Sequence, residues 1–342
     1  MIPVEFDYYS PQTVAEAISL LDKYGKESKL LAGGLDLIRN MRYRVVSDEV
    51  KYVIGLKKIK DLRLITTATD GMSIGSAVSL NEIQESTVIK TQYLSIWESS
   101  RTLGPPQLKN QITLGGNLCQ DLKCWHYNLT GISQFMRKAH EHSCWRKDKS
   151  SPCTSASEDD VYHSVINIGQ KCWASSPSTM AVPLIALRAK VKIMGKEKRE
   201  IPVEELYSVN GDCILSPAEM ITSIYIPTVP DKGYLAYIAD KRSSKDFPVV
   251  NVSVLAVLTD NQRCNYVKAA IGGVTPRTIT FEKEFDSNNI SDVIEEIKNV
   301  LFGKALIRGP ATNFKVNEAK TFVKYAFQQI QAKGMAQWLK QS

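Results

Sequence analysis

Leu30-Leu-Ala-Gly-Gly-Leu-Asp-Leu37 decides how the chain is read. A short apolar strand, Lys29 to Ala32, runs straight into paired glycines and then into a helical pattern carrying Leu37, Ile38 and Met41. Glycines in such a turn let backbone N–H groups approach an anion, and the helix N-terminus adds a favourable dipole. The segment is not a P-loop, which needs a Lys and a Ser or Thr after its glycine. Nor is it the spaced three-glycine dinucleotide fingerprint. It reads as a phosphate cradle or as a plain strand-to-helix turn. About 80 residues on, Thr113-Leu-Gly-Gly-Asn117 repeats the device. Two such loops on one α/β body suit a ligand with two phosphates, and two unrelated structural turns are the alternative.

Upstream of the first loop, Ser10 and Pro11 open a helix with Val14, Ala17, Ile18 and Leu21 at helical spacing and Gly25 as its exit. Downstream, Tyr52 to Leu56 reads as a strand, and Asp70-Gly71 between Leu64-Ile65 and Met72-Ser73-Ile74 is a hairpin turn. The pattern from Leu80 to Thr102 is helical. Beyond Met180 to Leu187 come strand-like runs at 189–193, 220–226, 234–239, 249–258 and 266–271, then helical patterns at 290–302 and 316–330. Strands followed by helices indicate an α+β unit with helices on one face of an antiparallel sheet.

Composition narrows the classes. Charged and hydrophobic fractions of 23% and 43% are those of an ordinary globular chain. The longest apolar stretch, around Val249 to Leu258, falls far short of the roughly 20 residues of a membrane span, and no signal peptide is expected. The net charge of +7 comes from scattered Lys and Arg, with no basic stripe interleaved with aromatics, so no nucleic-acid partner is expected. Seven cysteines without a signal peptide point to a reducing, cytoplasmic compartment, where thiols bind metals, do chemistry or pack. Five of them, Cys119, Cys124, Cys144, Cys153 and Cys172, lie within 54 residues, while Cys213 and Cys264 stand apart. A polar loop this long is unusual inside a compact domain unless something holds it. Four thiolates hold an iron–sulfur cluster, and these five cysteines are enough to supply them. Structural zinc, disulfides and unliganded packing cysteines are the competing readings. His126, His140, His142 and His163, all in this loop, are expected to be solvent-exposed, with His126 a candidate for hydrogen bonding to a cluster.

The two glycine loops resemble those of the FAD-binding subunits of molybdenum hydroxylases, the family of the xanthine dehydrogenase and CO dehydrogenase medium subunits. Leu31-Ala-Gly-Gly-Leu-Asp-Leu37 with Met41-Arg42 is similar to a first loop A-G-G-T-D-L followed by M-K or M-R, and Gln107 to Asn117 is similar to the second. Ser73-Ile-Gly-Ser-Ala77, Ser176-Pro177, Pro183-Leu-Ile-Ala-Leu187, Lys241-Arg242 ahead of Asp246, and Ile271-Gly-Gly-Val-Thr-Pro276 resemble further family blocks, in order along nearly the whole chain. Leu35 stands where the family has Thr, and Met180 where it commonly has Asp. The resemblance implies a two-lobed, PCMH-type FAD-binding domain of mixed α/β character followed by an α+β C-terminal domain with an antiparallel sheet. The expected divisions are residues 1–55, 56–188 with an inserted loop at about 119–173, 189–305, and a helical extension at 306–342.

What the resemblance implies about function follows from the family. FAD would rest its pyrophosphate against Gly33-Gly34 and Gly115-Gly116-Asn117, with Leu31, Ala32, Leu35, Asp36, Leu37 and Thr113 around it and Lys241 reaching in from the third domain. Side chains of Thr113 and Asn117 are suited to a ribityl or phosphate group, and Asp36 to a helix cap or a cofactor contact. About 55 residues separate Gly-Gly-Asn117 from Ser176-Pro177. This resembles the inserted loop of the flavin subunit of 4-hydroxybenzoyl-CoA reductase, which holds a [4Fe-4S] cluster. By that likeness Cys124, Cys144, Cys153 and Cys172 are the ligands and Cys119 the spare. Partners implied are a molybdopterin-binding large subunit and a [2Fe-2S] small subunit, with ferredoxin or NAD as external redox partner. The chain would then relay electrons and carry no catalytic acid, base or nucleophile. A flavin-free iron–sulfur scaffold, or a flavin subunit serving oxidation of a heterocycle, are the alternative readings.

Overall fold

Strand β1 (Asp7–Tyr9), helix α1 (Val14–Tyr24), β2 (Ser28–Leu31), α2 (Leu37–Arg42) and β3 (Tyr52–Gly55) make the first lobe. They come from a computed structural model that describes residues 5–43, 45, 50–132, 143–243, 246–259, 263–287 and 289–341, with side chains for all but 129–132 and 336–341. Both β1 and β2 pair with β3 in parallel, so each helix is a crossover between parallel strands. Helix α1 starts three residues later than Ser10-Pro11 foretell. Thr13 is the cap, its hydroxyl accepting from Glu16 N, and Gly25 ends the helix at φ +50°, where a side chain would be strained.

The second lobe is built on a five-stranded antiparallel sheet. Asp70-Gly71 closes the hairpin of β4 (Ile65–Ala68) and β5 (Gly71–Gly75), with Ile65 opposite Ile74. Helices α3 (Leu80–Glu85), α4 (Thr87–Gln92) and α5 (Leu94–Thr102) replace the single helical run expected, with Ser86 capping the second. Then come α6 (Pro106–Lys109), α7 (Leu114–Leu118), α8 (Trp125–Ile132) and α9 (Ala181–Ala186), followed by β6 (Lys190–Met194), β7 (Lys198–Pro202) and β8 (Met220–Pro227). Strand order in this sheet is β4-β5-β8-β6-β7. The expected division at residue 188/189 therefore runs through a sheet. Strand β8 pairs with β5, setting Ile226 against Met72 and Ile224 against Ile74, and these residues share one buried core with α9 and Leu80.

The last sheet is antiparallel, in the order β12-β11-β10-β9, from β9 (Gly233–Asp240), β10 (Val250–Leu258), β11 (Cys264–Gly272) and β12 (Ile279–Ser287). Helices α10 (Ile290–Phe302) and α11 (Pro310–Gln341) cover one face, burying Val293, Ile297, Val323 and Phe327 against Val252, Val254 and Val267. From the other face Leu235, Leu255 and Ala270 enter the core of the second lobe. The expected extension at 306–342 is thus α11, a covering layer of this sheet. No helix among the described residues is long and apolar enough to cross a membrane.

Candidate functional site

The glycine loops meet. A Cβ on Gly33 would lie 1.7 Å from the Gln111 carbonyl oxygen, so the two loops touch backbone to backbone at a point that only glycine permits. Gly34, at φ +78°, then turns the chain into α2, whose Ile38 N–H donates to the Gly34 carbonyl. The second loop is fixed from the other side. Leu80 N donates to Ile112 O, Leu114 N to Val78 O and Gly115 N to Ser76 O, laying residues 112–115 beside the segment that follows β5. A Cβ on Gly115 would lie 2.7 Å from Ser76 Cβ.

Between the loops and residues 211–221 runs a cleft of 1080 Å³. Ala32, Gly33, Gly34, Leu35, Asp36, Leu37, Thr113, Gly115, Gly116 and Asn117 line it, so most residues singled out in the sequence converge on one surface. Leu31 does not; it points into a small core with Met41, Val50 and Val53. Nor is Lys241 among the lining residues, because its ammonium donates to the Thr102 carbonyl at 2.8 Å. Side chains expected to be available for a ligand are partly engaged within the chain. Thr113 Oγ1 accepts from Gly116 N and so caps α7, and Asn117 Oδ1 accepts from Ser178 Oγ and Met180 N. Asp36 makes no helix-capping hydrogen bond. Its carboxylate accepts from Asp121 N at 2.8 Å and pairs with Lys123, tying the first loop to the start of the cysteine-rich segment. Met180 lies in the core, its sulfur accepting from Ser99 Oγ, away from the cleft lining.

Ser76 was not singled out by itself in the sequence, yet it lines the cleft with a buried Oγ that has no hydrogen-bond partner among the described residues. An orphaned hydroxyl costs stability unless a ligand uses it. The block Ser73-Ile-Gly-Ser-Ala77 was its only mark in the sequence. Residues 211–213 and 215–217 also line the cleft, Cys213 among them, although nothing local in the sequence points to it.

The cysteine-rich segment folds its four proposed ligands toward one place. Cys124 and Cys172 share a small buried cluster with Leu122, Ala174 and Trp145. Ser143 bonds Pro152 O and Thr154 Oγ1, so Cys144 and Cys153 lie on adjacent strands of chain, and Ser155 Oγ sits 3.8 Å from Cys124 Sγ. Burial pushes the Cys172 thiol up to about 11 and raises Cys124. Against that, backbone N–H groups of His126 and Tyr127 reach the Cys124 sulfur, and that of Ala174 reaches Cys172. Such donors stabilise thiolates. Asn210 Oδ1 accepts from Lys171 N and Cys172 N, anchoring the last cysteine next to the cleft-lining Gly211.

Two of the four histidines overturn their expectation. His126 and His163 are buried, at 2% and 0% exposure. His163 Nδ1 lies 2.8 Å from Asp160 Oδ2 and its Nε2 lies 3.3 Å from Cys124 Sγ, while His126 pairs with Glu158 at 2.9 Å. A buried ring needs hydrogen-bond partners, and this acidic stretch supplies one to each ring, Asp160 to His163 Nδ1 and Glu158 to His126 Nε2. His163 thus sets a ring nitrogen against the Cys124 sulfur, and His126 reaches the same sulfur through its backbone N–H. His140 and His142 lie outside the described residues.

Residues 4–229 match the family described as the FAD binding domain in molybdopterin dehydrogenase. The chain is 32% identical to the carbon monoxide dehydrogenase medium chain of Hydrogenophaga pseudoflava over 118 residues, which are 34% of this chain and span 40% of that protein's length. It is 24% identical to the aldehyde oxidoreductase FAD-binding subunit PaoB of Escherichia coli (strain K12) over 307 residues, 88% of this chain and 90% of that one. Among solved structures, carbon monoxide dehydrogenase from Hydrogenophaga pseudoflava superposes with a TM-score of 0.71 at 20% identity, over 97% of this chain and 99% of that one. Quinoline 2-oxidoreductase from Pseudomonas putida 86 gives 0.70 at 15%, over 98% and 100%. These superpositions give the mixed α/β fold, with its helices and antiparallel sheets. Two glycine loops abutting across one cleft, and a family match over most of the chain, lead to one conclusion: the chain belongs to the family of FAD-binding domains of molybdopterin dehydrogenases.

Proposed function

We propose that this chain holds FAD in the 1080 Å³ cleft, with the pyrophosphate against Gly33-Gly34 and Gly115-Gly116, and relays electrons within a molybdenum hydroxylase-type complex. The contact of Gly33 with the Gln111 carbonyl carries the reading, because it puts both phosphate-type loops on one surface. The residues fit the group. Ser76 Oγ offers an unused donor, all four glycines line the cleft with no side chain between a ligand and the backbone, and the lining mixes apolar with polar side chains. Thr113 and Asn117 act on this reading mainly by shaping the second loop. Bound FAD would supply the electron chemistry, and the protein position and electrostatics.

The cysteine-rich segment extends the proposal to a [4Fe-4S] cluster on Cys124, Cys144, Cys153 and Cys172. Three of these are buried and all are free thiols. Tetrahedral zinc, with bonds of about 2.3 Å, needs its four sulfurs within about 4 Å of one another. Among the described residues no such tight group of cysteines occurs, whereas a cuboidal cluster takes a wider set. With a cluster in the flavin chain, the complex is read as 4-hydroxybenzoyl-CoA reductase-like, working beside a molybdopterin-binding subunit and a [2Fe-2S] subunit with ferredoxin or NAD as external partner. The relatives named as medium chains support such an assembly.

Native co-expression with the neighbouring subunits, followed by acid denaturation, should release about one FAD per chain; none released would overturn the flavin assignment. Substituting Cys144→Ala should remove about four irons per chain while FAD is retained. Unchanged iron would refute the ligand set. Ferredoxin-dependent reduction of an aromatic CoA thioester by the complex supports the reductase reading, and hydroxylation of a heterocycle in its place would replace it.

A further inference from the structure

Cys119 and Cys213 stand 94 residues apart in the sequence, yet both line the cleft, near enough for each thiol to shift the ionisation of the other. One residue holds them there. Tyr207 pairs with Cys213 through the backbone in a tight hairpin, closed by Ser208 N to Asp212 O and Ile214 N to Leu206 O. The Tyr207 hydroxyl crosses to the other segment and donates to the Leu118 carbonyl at 2.9 Å, next to Cys119. Cys119 itself ends the helix that holds the second glycine pair, its N–H donating to the Gly115 carbonyl. Cys119 is exposed on the cleft and Cys213 is half-buried beside it, so a small reagent entering the cleft reaches the pair.

Of the four cysteines assigned to the cluster, Cys124 and Cys172 pack elsewhere, around Leu122 and Ala174, and none of the four lines the cleft. This leaves a second thiol centre unused by the electron relay. Interaction between the two thiols raises Cys119 and lowers Cys213, so Cys213 is the more readily ionised of the pair.

We propose that Cys119 and Cys213 form a redox-active dithiol at the wall of the flavin cleft, a reversible disulfide site whose oxidant is a small-molecule disulfide of the glutathione class. The Cys213 thiolate attacks one sulfur of that disulfide, breaking its S–S bond, releasing one small thiolate and leaving a mixed disulfide on Cys213. The Cys119 thiolate then attacks the Cys213 sulfur, forming the Cys119–Cys213 bond and expelling the second small thiolate. Two protein thiols are oxidised and one small disulfide is reduced to two thiols, which take up the two protons. The new bond ties the end of the second glycine loop to the 206–214 hairpin.

The test uses the full chain, purified without oxygen and equilibrated in glutathione buffers of increasing disulfide content, then acid-quenched, alkylated and mapped by peptide mass. A peptide pair joined through residues 119 and 213 should rise from none to most of the chain and vanish again with excess dithiothreitol. Cys119→Ser should leave Cys213 carrying one glutathione and no cross-link. Recovery of both cysteines separately, alkylated or glutathionylated, at every buffer ratio would overturn the proposal. Saturating the chain with FAD should slow cross-linking at least tenfold, and equal rates would remove the pair from the flavin cleft. The cross-link itself is read without flavin, so its failure is distinct from failure of the FAD assignment.

Discussion

At Gly33 the absence of a side chain is a structural requirement. A methyl group there would overlap the Gln111 carbonyl oxygen at 1.7 Å, and a backbone atom cannot rotate aside as a flexible side chain would. Gly33→Ala should therefore separate the two loops and weaken FAD binding by at least about tenfold, equivalent to about 1.4 kcal/mol. Flavin content after gel filtration and a fluorescence titration of the apoprotein would measure it; wild-type affinity would mean that the loops need not touch. Gly33 was legible in the sequence because a glycine pair between a strand and a helix is a local statement about backbone. Asp36 and Met180 were not. The partners of Asp36, Asp121 and Lys123, are 85 and 87 residues away, and Met180 belongs to the core beside Ser99. Cys213 shows the same limit, since only the Tyr207 hairpin brings it to the cleft.

Elements with one buried and one wet face were the easiest to read. The spacing of Val316, Ala319, Val323, Ala326 and Ile330 marks the face of α11 that the fold buries. Strands β7 and β12 escaped, because Lys198–Pro202 and Ile279–Ser287 are edge strands rich in charged residues, which hide the alternation. Phe327, fully buried under that helix, should cost about 3 to 5 kcal/mol when cut to Ala, read by urea unfolding. The same helix buries Lys315, whose ammonium donates to the His163 carbonyl at 2.8 Å and to Ser175 Oγ at 3.2 Å. Burial pushes its pKa down to about 7. Between there and its unfolded value near about 10.4 the unfolded chain holds a proton that the folded chain does not, so stability from this group rises with pH. One turn on, burial raises Glu318 to about 7, so its share falls as pH rises toward that value. Urea midpoints of the wild type should climb from pH 7 to pH 9, and Lys315→Met should abolish most of that climb. A parallel climb in the variant would show that Lys315 does not titrate there.

On the scale of the whole molecule, the cysteine-rich insertion acts as a keystone between the flavin lobes and the C-terminal sheet. Its near end is held by Asp36 of the first glycine loop, and Cys172 by Asn210 near the cleft. Its far end becomes part of another core: Val161, Val165 and Ile166 pack with Val274, Leu301 and Phe302, and Leu306 N donates to Val165 O at 2.7 Å. Asp159 accepts from Ala311 N and Thr312 N at the start of α11, while Arg308 reaches back to the carbonyls of Glu158 and Ser164. Spacing of residue types revealed the cysteines, but the docking of this loop depends on contacts about 150 residues distant, which no local pattern encodes. A cluster holding the loop would therefore support the C-terminal domain too, since ligand binding to the folded state alone is folding free energy. Cys172→Ser, or removal of iron under chelator, should speed amide hydrogen exchange at 158–166 and also at 306–316, by at least about tenfold if about 1.4 kcal/mol of support is lost. Amides of β2 and β3 in the first lobe should keep their protection. Faster exchange confined to 119–173 would instead make the insertion a passive appendage, with its packing on α11 sustained by the apolar contacts of Val161, Val165 and Ile166 alone.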